Sequence, residues 1–461
     1  MSFDSFLHLY QKSYYNLPQS VKTFLGSIYG NIPLRIRFGK QYEYHKKLLE
    51  KFENSDEQFK MDFQYNKTLE TLQFAQENIP YYQKIFKEYG FDVSQFKDIN
   101  DIKKLPYLTK EIIQKELQNL YTDKFDKPVA YYTGGSSSVP MQMFAPLSIS
   151  RSKEKAYTNY IFSKVGYKYR DKMVSIGGRG NPDETKGIYW EYQLIDNMLL
   201  ISVNHLEKRF IEPILKEVEK YKPKFFYGYP SAIISFIKAA KSIGIDKIDN
   251  IQGVIFASES VFPEHIAMAQ EFFGAKVLSH FGHTERVVVA SRIDTGNYHF
   301  YNSYGLTRIV DDEIVGTSFD NIVMPYINYK TKDYIDGDRT YYPGTDVVQS
   351  AQTIQGRIQE YVITKDHDPI TILSIGAGHY DSYDYVDQAQ FYQDTPGKVI
   401  LYLQSRESEK VKVQTILDQM HKQVKNKIDF EIKFKDKIEK SKRGKRILCI
   451  QKLDIEKYRN R

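Results

Sequence analysis

Residues 207–278 read EKRFIEPILKEVEKYKPKFFYGYPSAIISFIKAAKSIGIDKIDNIQGVIFASESVFPEHIAMAQEFFGAKVL, and their pattern decides the class of fold. Phe210, Ile211, Ile214, Leu215, Val218 and Tyr221 recur at intervals of three and four, which lays them on one face of a helix beginning at Glu207. The apolar run Phe225-Phe226-Tyr227 follows. Then come a helical stretch around 232–243, a second apolar run over Gly253–Ala257, a helix over Pro263–Phe273 and a third run at Val277-Leu278. Short apolar runs alternating with helices at this spacing predict βαβ units and a parallel sheet. The chain is therefore read as α/β.

Upstream, residues 1–100 form a helical N-terminal region, in which Tyr42–Phe52 and Thr68–Tyr82 carry apolar residues at helical spacing. Leu105-Pro106 breaks the pattern, and Thr109 is placed to cap a helix beginning near Lys110. Residues 129–132 predict a short strand running into Thr133-Gly134-Gly135-Ser136-Ser137-Ser138-Val139-Pro140, with a helix from about Ile149 to Val165. Beyond about residue 300, strands punctuated by Gly and Asp predict a β-rich subdomain. After Arg357 the style changes again: strands at Lys398–Leu403, Phe430–Phe434 and Arg446–Ile450 flank a helix over Glu407–Val424. The expected division is a large domain, 1–357, and a small, mobile α+β domain, 358–461.

Composition narrows the function classes. The 461 residues are 41% hydrophobic with a net charge of +7, a mild excess that suits a small anionic substrate. No arginine-rich arm or nucleic-acid-binding motif accompanies it, so no nucleic-acid partner is expected. Cys449 is the single cysteine, which excludes an internal disulfide and a multi-cysteine zinc site. No stretch is apolar over the ~20 residues a membrane span needs, and the polar interruptions before Gly30 do not suit a signal peptide. A cytoplasmic protein, monomer or homodimer, is expected.

Five short stretches carry chemistry. In Thr133–Pro140, consecutive small residues can turn backbone N–H groups onto phosphate oxygens, although no Gly-Lys-Ser/Thr follows and an ordinary turn reads the same way. Phe281-Gly282-His283-Thr284-Glu285 follows the Val277-Leu278 strand, where open α/β sheets hold ligands. A threonine hydroxyl there can hold a phosphate and a carboxylate can ligate magnesium, whereas a lone His283 is more often a packed histidine. Asp333, in Asn328-Tyr329-Lys330-Thr331-Lys332-Asp333, can accept from both ribose hydroxyls or sit in a surface turn. Gly356-Arg357-Ile358-Gln359-Glu360 fits a hinge or a turn. The basic run Ser441–Arg446 fits a solvated face, but its Gly444 favours a tight turn presenting Lys445.

In this order the five stretches resemble the adenylate-forming superfamily. The chain looks most like its phenylacetate–CoA ligase branch and, within it, the capsular polysaccharide biosynthesis CapK-like subgroup. Further matches are Asn78-Ile79-Pro80-Tyr81-Tyr82, Leu105-Pro106-Tyr107-Leu108-Thr109-Lys110, Gly228-Tyr229-Pro230-Ser231, Ala257-Ser258-Glu259 and Met324-Pro325-Tyr326-Ile327. The resemblance implies that Thr133, Gly134, Gly135, Ser136, Ser137 and Ser138 grip the ATP phosphates. It sets Ala257, Ser258 and Glu259 beside the adenine, and Phe281, Gly282 and His283 in the same nucleotide site. It makes Thr284 a phosphate contact, Glu285 the magnesium ligand, Asp333 the ribose ligand, Arg357 a residue near ribose and hinge, and Lys445 the catalytic lysine. Gln359 or Glu360 would be the pivot.

The implied activity is ATP- and magnesium-dependent adenylation of a small carboxylic acid, then acyl transfer to coenzyme A or to the amine or hydroxyl of a sugar in polysaccharide biosynthesis. Nucleotidyl transfer to a hydroxyl-bearing coenzyme and a nucleotide-binding, non-catalytic role in a polysaccharide assembly complex are the alternatives. Three positions depart from the family pattern: Val139 replaces a frequent lysine, and Asn328 and Lys332 replace a frequent Arg and Gly around Asp333.

Overall fold

A computed structural model of the chain describes residues 17–132, 141–177, 183–202, 205–206, 208–357, 361–367, 369–375, 385–424, 426–439 and 447–459. In chain order, helices α1 (Gln19–Asn31), α2 (Gly39–Asn54), α3 (Glu57–Asn78), α4 (Pro80–Glu88) and α5 (Lys110–Glu116) precede the hairpin β1 (Pro128–Tyr132) and β2 (Gln142–Pro146). Helix α6 (Ser150–Ser163) leads to β3 (Met173–Gly177), β4 (Trp190–Gln193) and β5 (Met198–Ser202). Next come α7 (Lys208–Tyr221), β6 (Phe225–Gly228), α8 (Pro230–Lys241), β7 (Gly253–Ala257), α9 (Pro263–Phe273) and β8 (Lys276–Gly282). Strands β9 (Val289–Ile293), β10 (Tyr298–Phe300), β11 (Gly305–Val310), β12 (Glu313–Ser318), β13 (Tyr329–Tyr341) and β14 (Val348–Arg357) follow. The chain ends with β15 (Tyr361–Ile363), β16 (Pro369–Thr371), β17 (Gln388–Thr395), β18 (Lys398–Gln404), α10 (Val413–Gln423), β19 (Asp429–Phe434) and β20 (Cys449–Gln451).

These elements form two compact units. The first comprises the described residues up to Met173 with Tyr192–Met198 and Leu278–Ile354; the second comprises Val174–Glu191, Leu199–Val277 and the described residues from Gln355 onward.

In the second unit the expected βαβ is present. Strands β6 and β7 pair in parallel, Phe225 opposite Gly253 and Gly228 opposite Phe256, with α8 as the crossover. Both strands are buried on each face, as parallel strands covered by helices must be. Phe226 meets Phe236 of α8 and Phe273 of α9 at ring separations of 5.4 and 4.4 Å. The C-terminal strands are ordered β19-β18-β17-β20, a mixed sheet in which the β17–β18 hairpin is antiparallel and the outer pairings are parallel. Phe262, just before α9, is buried among residues of that C-terminal core. The α/β class and the α+β tail agree with the sequence pattern.

In the first unit the strands run β11-β12-β13-β14-β10-β9-β8. Asp311 and Asp312, at φ 50° and 62°, form the two-residue turn that joins β11 to β12. Pairing of β12 with β13 is interrupted between Glu313 and Val315, a bulge in which Lys332 takes φ 61°. Three of the quoted motif stretches meet beside it. The Tyr82 hydroxyl donates to the Pro325 carbonyl at 3.0 Å and accepts from the Ile327 N–H at 3.1 Å. Asn328, wholly buried, donates to the Ile102 and Leu105 carbonyls at 2.8 and 3.2 Å and accepts from Arg308 Nη1 at 2.9 Å. Arg308 in turn grips Asp346 with two bonds of 2.9 and 2.8 Å.

Some sequence expectations are corrected. The pattern over Thr68–Tyr82 is two helices, because Pro80 has no N–H to continue α3 and instead opens α4. The helix expected from Glu407 begins at Val413. The Glu407 N–H is taken by Ser405 Oγ at 3.1 Å, and Ser408–Lys410 closes a separate 3₁₀ turn. Thr109 caps α5 as expected, accepting from Ile112. Glu207 lies outside the described residues, and so does Arg446 of the last expected strand.

A buried ionic cluster sits between α2, α3 and α6. Lys153 Nζ donates to the carbonyls of Tyr304 (2.8 Å) and Phe319 (2.9 Å) and to Asp320 Oδ2 (3.1 Å), and Lys67 reaches Asp320 Oδ1 at 3.3 Å. His45, buried without hydrogen-bond partners among the described residues, is held neutral by desolvation and by the two lysines, its pKa pushed down to about 3 against the pull of Asp320.

Two stability predictions follow from these buried groups. Asn328→Ala strands two carbonyls and should cost about 2–4 kcal/mol, read as a lower urea midpoint. For His45 the folded pKa lies below the ordinary 6.5, so the unfolded chain binds the proton first. Stability from this group is full above about pH 6.5 and falls by up to about 1.4 kcal/mol per unit as pH drops toward 3. His45→Phe should flatten that slope between pH 6 and 4; Asp320, held below the usual carboxylate range by Lys153, acts only at lower pH. An unchanged slope in urea melts across that window would contradict the assignment.

Candidate active site

Strand β8 ends at Gly282, and the chain turns back into β9 through His283-Thr284-Glu285-Arg286. The Arg286 N–H donates to the His283 carbonyl at 3.1 Å, which puts Thr284 and Glu285 at the two central positions of the turn. Packing holds the turn close. A Cβ at Gly305 would lie 2.3 Å from the Val287 carbonyl oxygen, and one at Gly316 would lie 2.4 Å from the Val287 side chain, so both positions admit only glycine while Val287 stays there.

Glu285 is buried, with its side chain 6% exposed. Its Oε1 accepts from the Tyr329 hydroxyl at 3.1 Å, while Oε2 has no hydrogen-bond partner among the described residues. His283 Nδ1 stands 3.6 Å from that Oε2, and neither ring nitrogen of His283 has a hydrogen-bond partner among the described residues. Tyr329 opens β13, and four residues on, the same strand carries Asp333, also buried. The bulge at Lys332 sets the backbone there. The Lys332 N–H donates to Glu313 Oε1 at 2.9 Å and the Asp333 N–H to Thr331 Oγ1 at 3.1 Å. Lys332 stands where the resemblance led to a glycine, and the left-handed backbone that favours glycine is present there.

Arg286 is the residue the motif reading passed over. Its guanidinium lies 4.5 Å from the centroid of the Tyr131 ring and donates to Ser150 Oγ at the start of α6. Burial works to lower its pKa, but Glu154, Tyr131 and Tyr304 together outweigh this and raise it. Tyr131 is the penultimate residue of β1, directly before the Gly/Ser stretch. The signal was available, since an arginine follows Glu285 in the sequence, but which way it faced was not.

In the second unit, Ala257 ends β7, Ser258 takes φ 69°, and Glu259 Oε2 accepts the Ser231 N–H at 3.2 Å at the start of α8. Gly228-Tyr229-Pro230-Ser231 and Ala257-Ser258-Glu259 therefore meet at the carboxyl ends of adjacent parallel strands, where α/β sheets bind ligands.

Of the expected site residues, Phe281, Gly282, His283, Thr284, Glu285 and Asp333 belong to the first unit, and Ala257, Ser258 and Glu259 to the second. Arg357 is the last residue of β14. Thr133, Gly134, Gly135, Ser136, Ser137 and Ser138, together with Val139, Gln359, Glu360 and Lys445, lie outside the described residues.

The arrangement suits a hard cation. A carboxylate removed from water, with one oxygen held by Tyr329 and the other meeting only His283 Nδ1 at 3.6 Å among the described residues, has capacity left for a cation. The donor is oxygen, which magnesium prefers.

No protein-family model matches the chain. Protein CapK of Staphylococcus aureus is 23% identical over 411 residues, covering 85% of this chain and 87% of that protein. Among solved structures, 2-hydroxyisobutyryl-CoA ligase in the postadenylation state, in complex with 2-HIB-AMP, superposes with a TM-score of 0.63 at 15% identity, over 86% of this chain and 90% of that one. The same ligase in the thioesterification state, with 2-HIB-AMP and CoA, gives 0.50 at 14% identity over 87% and 91%.

Proposed function

We propose, on the premise that the chain shares the fold of 2-hydroxyisobutyryl-CoA ligase, that it is an AMP-forming ligase acting on a small carboxylic acid. The single observation that carries the reading is Glu285: a buried carboxylate with one oxygen held by Tyr329 and the other without a hydrogen-bond partner among the described residues, in the turn that follows β8. A carboxylate oxygen of the acid would attack the α-phosphorus of ATP, forming the acyl–phosphate bond as the bond to the β-phosphate oxygen breaks and pyrophosphate leaves. The acyl group would pass next to coenzyme A or to another acceptor, an amine or hydroxyl of a sugar among them. The likeness to protein CapK supports a place in capsule polysaccharide assembly.

Within this reading, Glu285 holds magnesium, which when bound offsets charge on the phosphates. Thr284, beside it in the turn, contacts phosphate, and Asp333 takes the ribose hydroxyls. Thr133–Ser138 would wrap the phosphates. Arg286, fixed against Tyr131 and Ser150, supplies the cation that Val139 does not. Lys445, on a small domain over 358–461, would neutralise the charge that develops in the transition state. That domain would then swing to admit the acceptor.

Pyrophosphate release from the full chain with ATP, magnesium and a panel of carboxylates tests the proposal. Acid-dependent release is expected, falling ~10²–10³-fold in Lys445→Ala and in Glu285→Ala. ATP binding with no turnover for any acid would leave a nucleotide-binding, non-catalytic component instead. Arg286→Ala should raise the KM for ATP about tenfold or more, the loss of one charged hydrogen-bonding group. An unchanged KM would remove Arg286 from the phosphate site.

A further inference from the structure

The Glu285 turn holds more unmatched polar atoms than a cation alone explains. His283 is buried, with its side chain 5% exposed, and its Nε2 has no partner among the described residues. The Tyr326 hydroxyl is equally buried and without a partner, on a ring 5.2 Å from that of Tyr329. Around them the surface is aromatic, the Phe281 ring standing edge-on to the imidazole at 6.1 Å. Buried polar groups in folded proteins are nearly always hydrogen-bonded, so two orphans beside Glu285 call for a partner that none of the described residues provides.

We propose that the acid substrate carries a hydroxyl group and that His283 is the residue that selects it. The inference rests on the adenylation reading of the same site and names its substrate class. A neutral imidazole offers one donor and one acceptor, and which nitrogen carries the proton depends on the tautomer. A hydroxyl both donates and accepts, so it satisfies Nε2 in either tautomer, and its second capacity is free for a group such as the Tyr326 hydroxyl. A methyl group in the same place fills the volume and leaves the buried nitrogen unpaired. Sites built to hydrogen-bond a substrate hydroxyl reject the analogue without it far more strongly than apolar pockets reject an extra methylene. An unsubstituted aliphatic or aryl acid would suit a leucine or methionine at position 283 better than a histidine.

The test compares acids in which a hydroxyl is exchanged for a methyl: 2-hydroxypropanoate with 2-methylpropanoate, 3-hydroxybutanoate with 3-methylbutanoate, and 4-hydroxyphenylacetate with 4-methylphenylacetate. Pyrophosphate release by the full chain with ATP and magnesium gives kcat/KM for each. In at least one pair the hydroxy acid should lead by ~10²-fold or more. His283→Leu should collapse that lead to a few fold, while His283→Gln, which keeps a donor and an acceptor, should retain part of it. Equal use of both members in every pair overturns the inference and leaves adenylation standing. So does a lead that survives in His283→Leu, which would mean that the orphan nitrogen meets water only. Release with no carboxylate at all, these six and a wider panel included, removes the adenylation reading and the inference together.

Discussion

The hydrogen bond from the Tyr329 hydroxyl to Glu285 Oε1, 3.1 Å long, is the contact toward which the first unit is organised. A carboxylate drawn out of water is costly unless its oxygens are matched, and among the described residues only one of them has a hydrogen-bond donor. The donor must therefore be held where entropy would otherwise take it away. Tyr329 opens β13, and the residues before it are fixed from three directions: Tyr82 bonds Pro325 and Ile327, Asn328 bonds the chain at Ile102 and Leu105, and Arg308 joins Asn328 to Asp346. Almost all of these groups are buried and matched, and such networks specify one geometry because each partner left unpaired is expensive.

The acceptor side is fixed by shape. Gly305 and Gly316 let Val287 lie flush on β11 and β12, so the four-residue turn before it has little freedom. Arg286, at φ 57°, leaves the turn toward Tyr131 and Ser150 while Glu285 faces Tyr329. Adjacent residues of opposite charge are thus sent to different neighbours, and neither neutralises the other. The carboxylate and the guanidinium stand side by side on one turn, and on the proposed reaction they would face a metal ion and phosphates.

Much of the fold was legible because it follows from periodicity. The runs at Phe225 and Gly253, the helices between and after them, and the cap at Thr109 sit where spacing put them. Errors arose where a local bond beat periodicity: Pro80 split one helix, and Ser405 and the Ser408–Lys410 turn delayed another. The site was legible as residue types but not as neighbours. Tyr82 and Asn328 lie 246 positions apart, and nothing local shows that both serve one strand end. Asn328 and Lys332 looked like departures in the nucleotide site. In the fold Asn328 is a buried staple and Lys332 holds a bulge with its N–H on Glu313. Glu259, expected beside adenine, has an oxygen on the Ser231 N–H at the start of α8. Arg286 was missed because a cation next to a carboxylate reads as its ion-pair partner until the turn geometry shows otherwise.

Two half-reactions in one site make opposite demands on charge. Attack on the α-phosphorus needs cations close to the phosphates; transfer of the acyl group needs room for an acceptor in the same place. A site can meet both if its anion-holding groups divide into a set that stays and a set that leaves. On the proposed reaction, Glu285 and Arg286 belong to the first set, since the turn that bears them is packed on glycine backbone and tied to Tyr329 and Ser150. Lys445, more than a hundred residues away in the chain, would belong to the second. Nothing tied this firmly to β8 and β13 could change its position between two steps without unpairing the buried groups that hold it, so on the proposed reaction the alternation would fall to Lys445.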